Sequence, residues 1–254
     1  MNTIACNLNI TRRVVSYHLA KKYGPLYTIK KVNTHNLLQD SEFLGEFLGI
    51  FCADGNFYYD HKYKIRFFFS LITEHAYARF FYERLCLTLD KKPLWLQKQN
   101  CIVIQYASQE LYNILVDYLC WKGRKSESIS LKTMDHPKHF LMGFIRGYFD
   151  SDGYTDKNHR QVTMFTISHE MAKQLSSILT RLEFKNSLFV KHKKMRSPLY
   201  YIALYGENAQ NFVQFIKPNN FVRIRNWCAG AGRIRTAVSR SLSGKDGPSY
   251  PTAP

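Results

Sequence analysis

The spacing of apolar residues predicts two similar series of helices and strands. Apolar residues recur with a helical period from Glu42 to Asp54 and again from Phe140 to Asp150. Short segments that alternate between apolar and polar residues follow each of these helices, as in strands with one covered face. The order helix, two strands, helix, two strands, helix occupies residues 41–134 and then residues 135–226. This order predicts an α+β fold with two antiparallel sheets.

The two halves share a junction between a strand and a helix. The segments ITEHAYARFF (72–81) and ISHEMAKQLS (167–176) have the same apolar pattern, at a separation of 167 − 72 = 95 residues. The acids Asp54 and Asp152 are separated by 152 − 54 = 98 residues. We interpret the halves as a duplication with small insertions.

Two copies of one motif lie at the ends of the two leading helices, FLGIFCADG (47–55) and IRGYFDSDG (145–153). Each copy is an apolar helix with glycines four residues apart, which ends in an acidic residue followed by glycine. The spaced glycines are Gly45, Gly49, Gly143 and Gly147. Small residues at this spacing let two helix backbones approach closely. If the helices pack in parallel, Asp54 and Asp152 emerge side by side.

Paired carboxylates in a basic protein indicate divalent metal and phosphate chemistry. The alternative is that Asp54 and Asp152 only cap turns after their helices. The negative end of the helix dipole disfavours a carboxylate at this position. Acids placed there in both halves therefore imply a cation between or beside them.

The charge of the chain indicates a polyanionic partner. There are 36 Lys and Arg against 19 Asp and Glu, a formal net charge of +17, which favours nucleic acid. A hydrophobic fraction of 45%, with 17 Tyr and 18 Phe, supports a packed core and argues against a basic protein that is disordered as a whole. The apolar runs are too short to span a bilayer. We therefore expect a soluble, intracellular protein, in the cytoplasm, the nucleoid or an organelle, without a membrane partner.

The six cysteines do not form a recognisable metal or disulfide pattern. They include no CxxC pair and no nearby histidine at zinc spacing. We expect buried free thiols.

Both ends of the chain differ from the repeated region. Residues 3–24 predict two short helices that resemble the last two helices of a helix-turn-helix DNA-binding unit, with Arg12 and Arg13 facing outward. An ordinary amphipathic helical hairpin is the alternative for this segment, residues 1–24. We expect residues 25–40 to form a linker. Residues 227–254 contain small residues, Gly and Pro without apolar periodicity, which predicts a disordered tail.

The two motif copies resemble the LAGLIDADG motif of homing endonucleases, in the single-chain form that carries both copies. FIRGYFDSDGY keeps both acids of the family, Asp150 and Asp152, whereas Cys52 stands where the first copy would have its first acid. The last acid, the family's metal ligand, is retained as Asp54. The resemblance implies two pseudo-symmetric αββαββα subdomains with saddle-shaped antiparallel sheets, in a protein that acts as a monomer.

The resemblance also implies an activity, the site-specific cleavage of both strands of a long double-stranded DNA target. Asp54 and Asp152 would hold Mg²⁺ or Mn²⁺, with the following Gly55 and Gly153 as part of the metal site. The sheets would read the DNA mostly in its major groove, and cleavage would occur across the minor groove.

The family further places a lysine near each metal, and Lys125 is the candidate in the first half. The equivalent position of the second half is Arg223, with Lys217 nearby. Because an arginine cannot exchange protons near neutral pH, we expect the second site to be less active. The alternative for Lys125 is one more phosphate-binding lysine of the linking segment.

Basic and polar residues on the outward helix and the predicted strands are candidates for DNA contact. They are Arg12, Arg13, Lys64, Arg66, Lys98, Arg160, Gln161, Lys191, Lys193 and Arg196. A solvated surface is the alternative for any single one of them. The set as a whole favours two charged, DNA-facing surfaces.

Two other functions are compatible with the same scaffold and charge. One is an RNA maturase that helps its host intron to fold, and the other is a non-catalytic DNA-binding regulator. Retention of both metal-ligand acids argues against the regulator. The chain starts with Met rather than Cys or Ser and lacks a terminal His-Asn pair, so we expect a free-standing, intron-encoded enzyme rather than an intein.

Overall fold

The structure is a computed structural model that describes residues 31–60, 62–156, 160–192 and 197–224. The chain divides into two units, residues 1–32 and residues 33–254, and the elements below belong to the second. The expected helix-turn-helix-like segment, with Arg12 and Arg13, and the expected tail lie outside the described residues. The same holds for Lys193 and Arg196.

Each half contains the elements that the apolar pattern predicts. The first half consists of α1 His35–Gln39, α2 Ser41–Asp54, β1 Gly55–Tyr59, β2 Tyr63–Ser70, α3 His75–Thr88, β3 Leu94–Lys98, β4 Cys101–Ala107 and α4 Gln109–Tyr118. The linking segment contains β5 Leu119–Cys120, α5 Lys125–Ser128 and β6 Ser130–Leu131. The second half consists of α6 Lys138–Asp152, β7 Gly153–Thr155, β8 Gln161–Thr166, α7 His169–Arg181, β9 Ser187–Lys191, β10 Leu199–Tyr205 and α8 Gly206–Ile216.

Residues 25–40 are not a plain linker in the part that the structure describes, because α1 lies within them. The side chain of Leu37 is fully buried, and Asp40, which follows α1, accepts a hydrogen bond from the backbone N–H of Phe43 at 2.9 Å. Asp40 thereby caps the start of α2. A local apolar anchor and a helix cap give this segment a fixed structure.

Each half forms a four-stranded antiparallel sheet, with strand orders β1-β2-β4-β3 and β7-β8-β10-β9. In the first sheet Gly55 pairs with Phe67, and in the second Gly153 pairs with Met164. Every second residue of β2 is buried from Ile65 to Phe69, and Val162 and Met164 of β8 are fully buried. The repeated register shows that the halves are two copies of the same architecture.

Helices α2 and α6 pack against each other in parallel, backbone to backbone. A methyl group placed on Gly45 would overlap the carbonyl oxygen of Phe140, and one on Gly49 would overlap that of Phe144. Gly143 and Gly147 face the carbonyls of Glu42 and Glu46 in the same way. All four glycines thus lie where the backbones of these two helices meet.

The core on either side of this helix pair is largely aromatic. Phe47 of α2 packs edge-on against Phe67 of β2, with ring centroids 5.3 Å apart, and Phe149 of α6 packs on Phe212 of α8 at 5.6 Å. No helix among the described residues has the length and apolar character to cross a membrane.

The prediction of buried thiols holds for one of the four described cysteines. Cys52 is buried, whereas Cys86 and Cys101 are half-buried and Cys120 is exposed. Cys101 lies on the outer face of β4 and Cys120 on the short linking strand β5, where less of the chain covers them. All four are free thiols.

Candidate metal and DNA site

Asp54 and Asp152 are the last residues of α2 and α6, so the parallel packing of these helices brings the two carboxyls together. Burial, followed by the negative charges of Asp152 and Glu74, raises the pKa of Asp54 to about 7. Burial also raises the pKa of Asp152. Burial and the neighbouring negative charges therefore disfavour ionisation of these acids, and a bound cation would offset this effect.

The chemistry of these groups fits a divalent metal ion. Carboxylate oxygens are hard ligands of the kind that Mg²⁺ prefers, and this ion usually takes its other ligands from water and substrate phosphate. Among the described residues no cluster of three or more His, Cys, Asp and Glu side chains has the arrangement of a complete metal site.

The motif glycines make the turn from each helix into the first strand. A side chain on Gly55 would overlap the ring and the carbonyl oxygen of Phe51, and one on Gly153 would overlap those of Phe149. Glycine is thus required at both positions by space. It lets the strand start directly after the acid, so each carboxyl lies at the junction between its helix and the first strand of its sheet.

Lys125 lies at the carboxyl end of α2. Its Nζ donates hydrogen bonds to the carbonyl oxygens of Phe51 at 2.6 Å and Cys52 at 2.9 Å. Burial lowers the pKa of Lys125, and the charges of Asp54 and Asp152 oppose this effect. The ammonium group therefore compensates both the helix dipole and the paired acids.

Arg223 lies at the carboxyl end of α6 in the same manner. Its Nε donates to the carbonyl oxygen of Asp150 at 3.2 Å, and its Nη2 donates to that of Ser151. The positive charge of Arg223 opposes the rise that burial causes in the pKa of Asp54 and of Asp152. The structure thus brings Arg223 to the position that sequence reasoning assigned to it.

Glu74 of the first half contacts the basic group of the second half. Its Oε1 accepts from Nη2 of Arg223 at 2.9 Å and from Nδ2 of Asn220 at 3.0 Å, and its Oε2 accepts from the backbone N–H of Ser70 at 2.9 Å. Glu74 is buried. It therefore ties Arg223 to the first sheet. His169, which lies 169 − 74 = 95 residues after Glu74 at the matching junction of the second half, is exposed, and its Nδ1 lies 3.6 Å from Oε1 of Glu170.

Asp150 is a structural anchor. Its carboxylate accepts the backbone N–H groups of Asn219 at 2.9 Å and Asn220 at 3.1 Å. Burial and the charge of Glu46 raise its pKa to about 8, although these hydrogen bonds favour the ionised form. Asp150 thus holds the turn that leads to Arg223. Cys52, at the matching position of α2, makes no such anchor.

Glu46 extends this polar network into the helix interface. It is fully buried, and its Oε1 accepts from Nδ2 of Asn219 at 3.0 Å. Its Oε2 lies 3.5 Å from Nη1 of Arg146 and 3.9 Å from Nη1 of Arg84. Burial raises the pKa of Glu46 despite both arginines. The hydrogen bonds described above form one connected network, which contains Glu46, Asn219, Asp150, Asn220, Glu74 and Arg223.

Sequence reasoning missed most of this network. Glu46, Asn219 and Asn220 do not belong to the motif, and their partners are distant in sequence. The sequence signal that could have indicated this network was Glu46 itself, a charged residue in the apolar helix α2, between Gly45 and Gly49. Lys217, the other basic candidate, is exposed at the left-handed end of α8, and no described contact joins it to the acids.

The candidate DNA-contacting residues that are described lie on the sheets or at their ends. Lys64 and Arg66 are on β2, Lys98 is at the end of β3 and Gln161 is at the start of β8. Lys191 is the last residue of β9 and Arg160 directly precedes β8, and both are exposed. The described candidates thus come from both halves of the chain.

Comparison with known proteins supports the fold. Residues 139–217 match the family model of the LAGLIDADG-like domain. Solved structures of the homing endonuclease I-DmoI are similar to this chain. The complex with DNA and Mn has a TM-score of 0.51 at 17% identity and covers 69% of this chain and 96% of that one. The complex with DNA and Ca has the same TM-score and identity and covers 69% and 89%. These findings confirm the predicted resemblance and the LAGLIDADG fold.

Two curated proteins of Methanocaldococcus jannaschii also match. A probable translation initiation factor IF-2 is 31% identical over 108 residues, which are 40% of this chain and 9% of that protein. A replication factor C small subunit is 27% identical over 186 residues, which are 73% of this chain and 10% of that protein. The chain thus spans about a tenth of the length of the curated relatives that it matches.

Proposed function

We propose that this chain, which has the LAGLIDADG fold with both motif copies, is a metal-dependent endonuclease that cleaves the two strands of a specific duplex DNA site. The observation that carries this proposal is the pairing of Asp54 and Asp152 at the ends of two parallel helices, each with a cation at its own helix end. Two acids, one for each strand, in one chain are consistent with a monomeric enzyme.

Asp54 and Asp152 would hold Mg²⁺ or Mn²⁺. A bound ion supplies Lewis-acid stabilisation of the phosphoryl oxygens and a more acidic attacking water. Support for a divalent ion comes from the raised pKa of Asp54, about 7 in the absence of any metal. The homing endonuclease I-DmoI has been solved with DNA and either Mn or Ca.

Lys125 and Arg223 would stabilise negative charge on the phosphate being cleaved. Each has its charge next to both acids, so each also limits the repulsion between these acids and the DNA backbone. The ammonium group of Lys125 can transfer a proton, whereas the guanidinium group of Arg223 remains charged. Glu74 would keep Arg223 in place through their 2.9 Å ion pair.

Duplex DNA is the substrate that the charge and the two sheets favour. The net charge of +17 favours association with a polyanion. Lys64 and Arg66 lie on β2 of the first sheet, and Gln161 and Lys191 lie on β8 and β9 of the second. A duplex lying along both faces would present its backbone to the two carboxyls.

The proposal is tested by selecting bound duplexes from a random DNA pool in EDTA, and then incubating the selected DNA with Mg²⁺. We expect cleavage of both strands by the wild-type chain. The variant with Asp54→Asn and Asp152→Asn should bind the same DNA and leave it intact. Absence of cleavage in Mg²⁺ and Mn²⁺ by a chain that binds duplex DNA tightly would instead favour the non-catalytic regulator. Tighter binding to intron RNA than to any selected duplex would favour the maturase.

A further inference from the structure

The two sheets differ in chemistry on the faces turned away from the helices. We call these the first sheet face (β1 to β4) and the second sheet face (β7 to β10). Arg66 and Thr163 occupy matching places in the two sheets. Arg66 directly precedes Phe67, which pairs with Gly55, and Thr163 directly precedes Met164, which pairs with Gly153. Their direct neighbours on the inner strand are Gln105 in the first half and Ala203 in the second.

On the first sheet face, Arg66 is held by two side chains of neighbouring strands. Its Nε donates to Oε1 of Gln105 at 2.7 Å, and its Nη2 donates to the hydroxyl oxygen of Tyr58 at 2.9 Å. The guanidinium carbon also lies 4.4 Å from the ring centroid of Tyr58. Lys64 donates to the same hydroxyl at 2.9 Å. The side chain of Arg66 is therefore fixed before any ligand arrives.

The second sheet face lacks an equivalent of this cluster at the matching positions. Thr163 and Ala203 are small and buried. Beside them, the rings of Phe165, Tyr201 and Phe189 follow one another across three adjacent strands, with centroids 6.5 Å and 5.0 Å apart. The centre of this face is thus aromatic where the first is charged and hydrogen-bonding.

We propose that the two faces divide the reading of DNA unevenly, with Arg66 selecting a guanine in the half-site under the first sheet face and the second face accepting several bases. This inference rests on the proposed function, since it requires that the sheets contact the major groove. Guanine presents two acceptors there, N7 and O6, and arginine is the side chain that bonds both.

The fixed position of Arg66 makes this selection strong. Its two protein bonds use two of the five N–H donors of a guanidinium group, which leaves donors for the two acceptors of guanine. Any other base at this place would leave desolvated donors without acceptors. The aromatic rings of the second sheet face, in contrast, would contact the surface of a base without a directional requirement.

The test is selection of duplexes from a random pool by the wild-type chain and by three variants, in EDTA so that the DNA stays intact. Arg66→Ala removes the reading group, and Tyr58→Phe removes one hydroxyl that holds it. Thr163→Ala is the matched change in the second half. Thermal unfolding of each variant checks that the fold is retained.

We expect the wild-type site to contain a strongly preferred guanine in one half only, with discrimination of roughly 5- to 150-fold over other bases. Arg66→Ala should remove the preference at that position alone, Tyr58→Phe should weaken it, and Thr163→Ala should leave it unchanged. Equal selectivity in both halves, or a guanine preference that survives Arg66→Ala, would overturn the inference while the proposed function stands. Failure of the wild-type chain to enrich any duplex would overturn both.

Discussion

Lys125 and Arg223 hold the same position relative to their own helices. Lys125 donates to the carbonyl oxygens of Phe51 and Cys52, and Arg223 donates to those of Asp150 and Ser151. Each cation compensates the negative end of a helix that also carries an acid. This shared arrangement explains how two carboxyls can lie together at helix ends, where the dipole alone disfavours them.

The two cations differ in their surroundings, and we expect this to show in the order of strand cleavage. Arg223 is paired with Glu74 at 2.9 Å and remains charged, whereas Lys125 lies against backbone carbonyls. One strand should therefore be cut faster, so that nicked DNA accumulates before linear product. Lys125→Met should slow the faster strand about 10-fold or more, and Arg223→Lys should speed the slower one. A time course with each strand separately labelled measures both rates.

Conversion of supercoiled DNA directly to the linear form, with no nicked species at any enzyme concentration, would exclude this asymmetry. Lys122→Met is the matched control, because Lys122 is an exposed lysine of the same linking segment. It should leave the ratio of the two strand rates unchanged.

Asp150 should matter for stability more than its counterpart Cys52. In Asp150→Asn, one of the two carboxylate oxygens that accept from the backbone of Asn219 and Asn220 becomes an amide NH₂ group. The buried donor opposite it loses its acceptor, so we expect a loss of about 1–3 kcal/mol in the free energy of unfolding. Urea denaturation measures this loss, and Cys52→Ala should cost less. Equal stability of Asp150→Asn and wild type would show that the turn does not depend on this acid.

The glycines between α2 and α6 should tolerate no side chain. In Gly49→Ala the new methyl group would overlap the carbonyl oxygen of Phe144, and a backbone cannot move aside without separating the helices. We expect a destabilisation of about 2–3 kcal/mol, equivalent to a fall of roughly 4–12 °C in the melting temperature. Ser177→Ala, at an exposed position of α7, is the control and should be nearly neutral. If the melting temperature of Gly49→Ala lies within roughly 1 °C of that of the wild type, the close contact between the helices is contradicted.

Glu46 should give the folded chain a pH dependence that Glu46→Gln removes. Burial raises its pKa above 4.5 in the folded state, against the positive charges of Arg146 and Arg84. The folded state thus binds this proton more tightly than the unfolded state, and its contribution to stability is lost as the pH rises from 4.5 through the raised pKa. The difference in unfolding free energy between wild type and Glu46→Gln should therefore move in favour of the variant over this range. A difference that stays constant with pH would show that Glu46 does not titrate in the folded chain.

The sequence was sufficient for the repeated architecture and for the acids because their signals are local. The glycines four residues apart, the acid after each helix and the alternation along β2 and β8 each lie within one element. Even the position of Arg223 followed from the spacing between the two motifs.

The parts that could not be predicted depend on contacts between distant segments. Glu74 meets Arg223 only because the turn before α3 reaches across to the second half, and Glu46 meets Asn219 only in the packed helix interface. Neither pair has a local pattern. The difference between the two sheet faces was hidden for the same reason, since Tyr58, Arg66 and Gln105 come from three strands.

Strand-resolved cleavage of a selected duplex by the two single variants, Asp54→Asn and Asp152→Asn, is the most direct test of the paired acids as the catalytic centre. Binding of the duplex in EDTA is measured in parallel. We predict that each variant binds the DNA about as tightly as wild type and loses double-strand cleavage in Mg²⁺. If both variants convert the duplex to double-strand breaks at the wild-type rate, the acids at the ends of α2 and α6 are not the metal site.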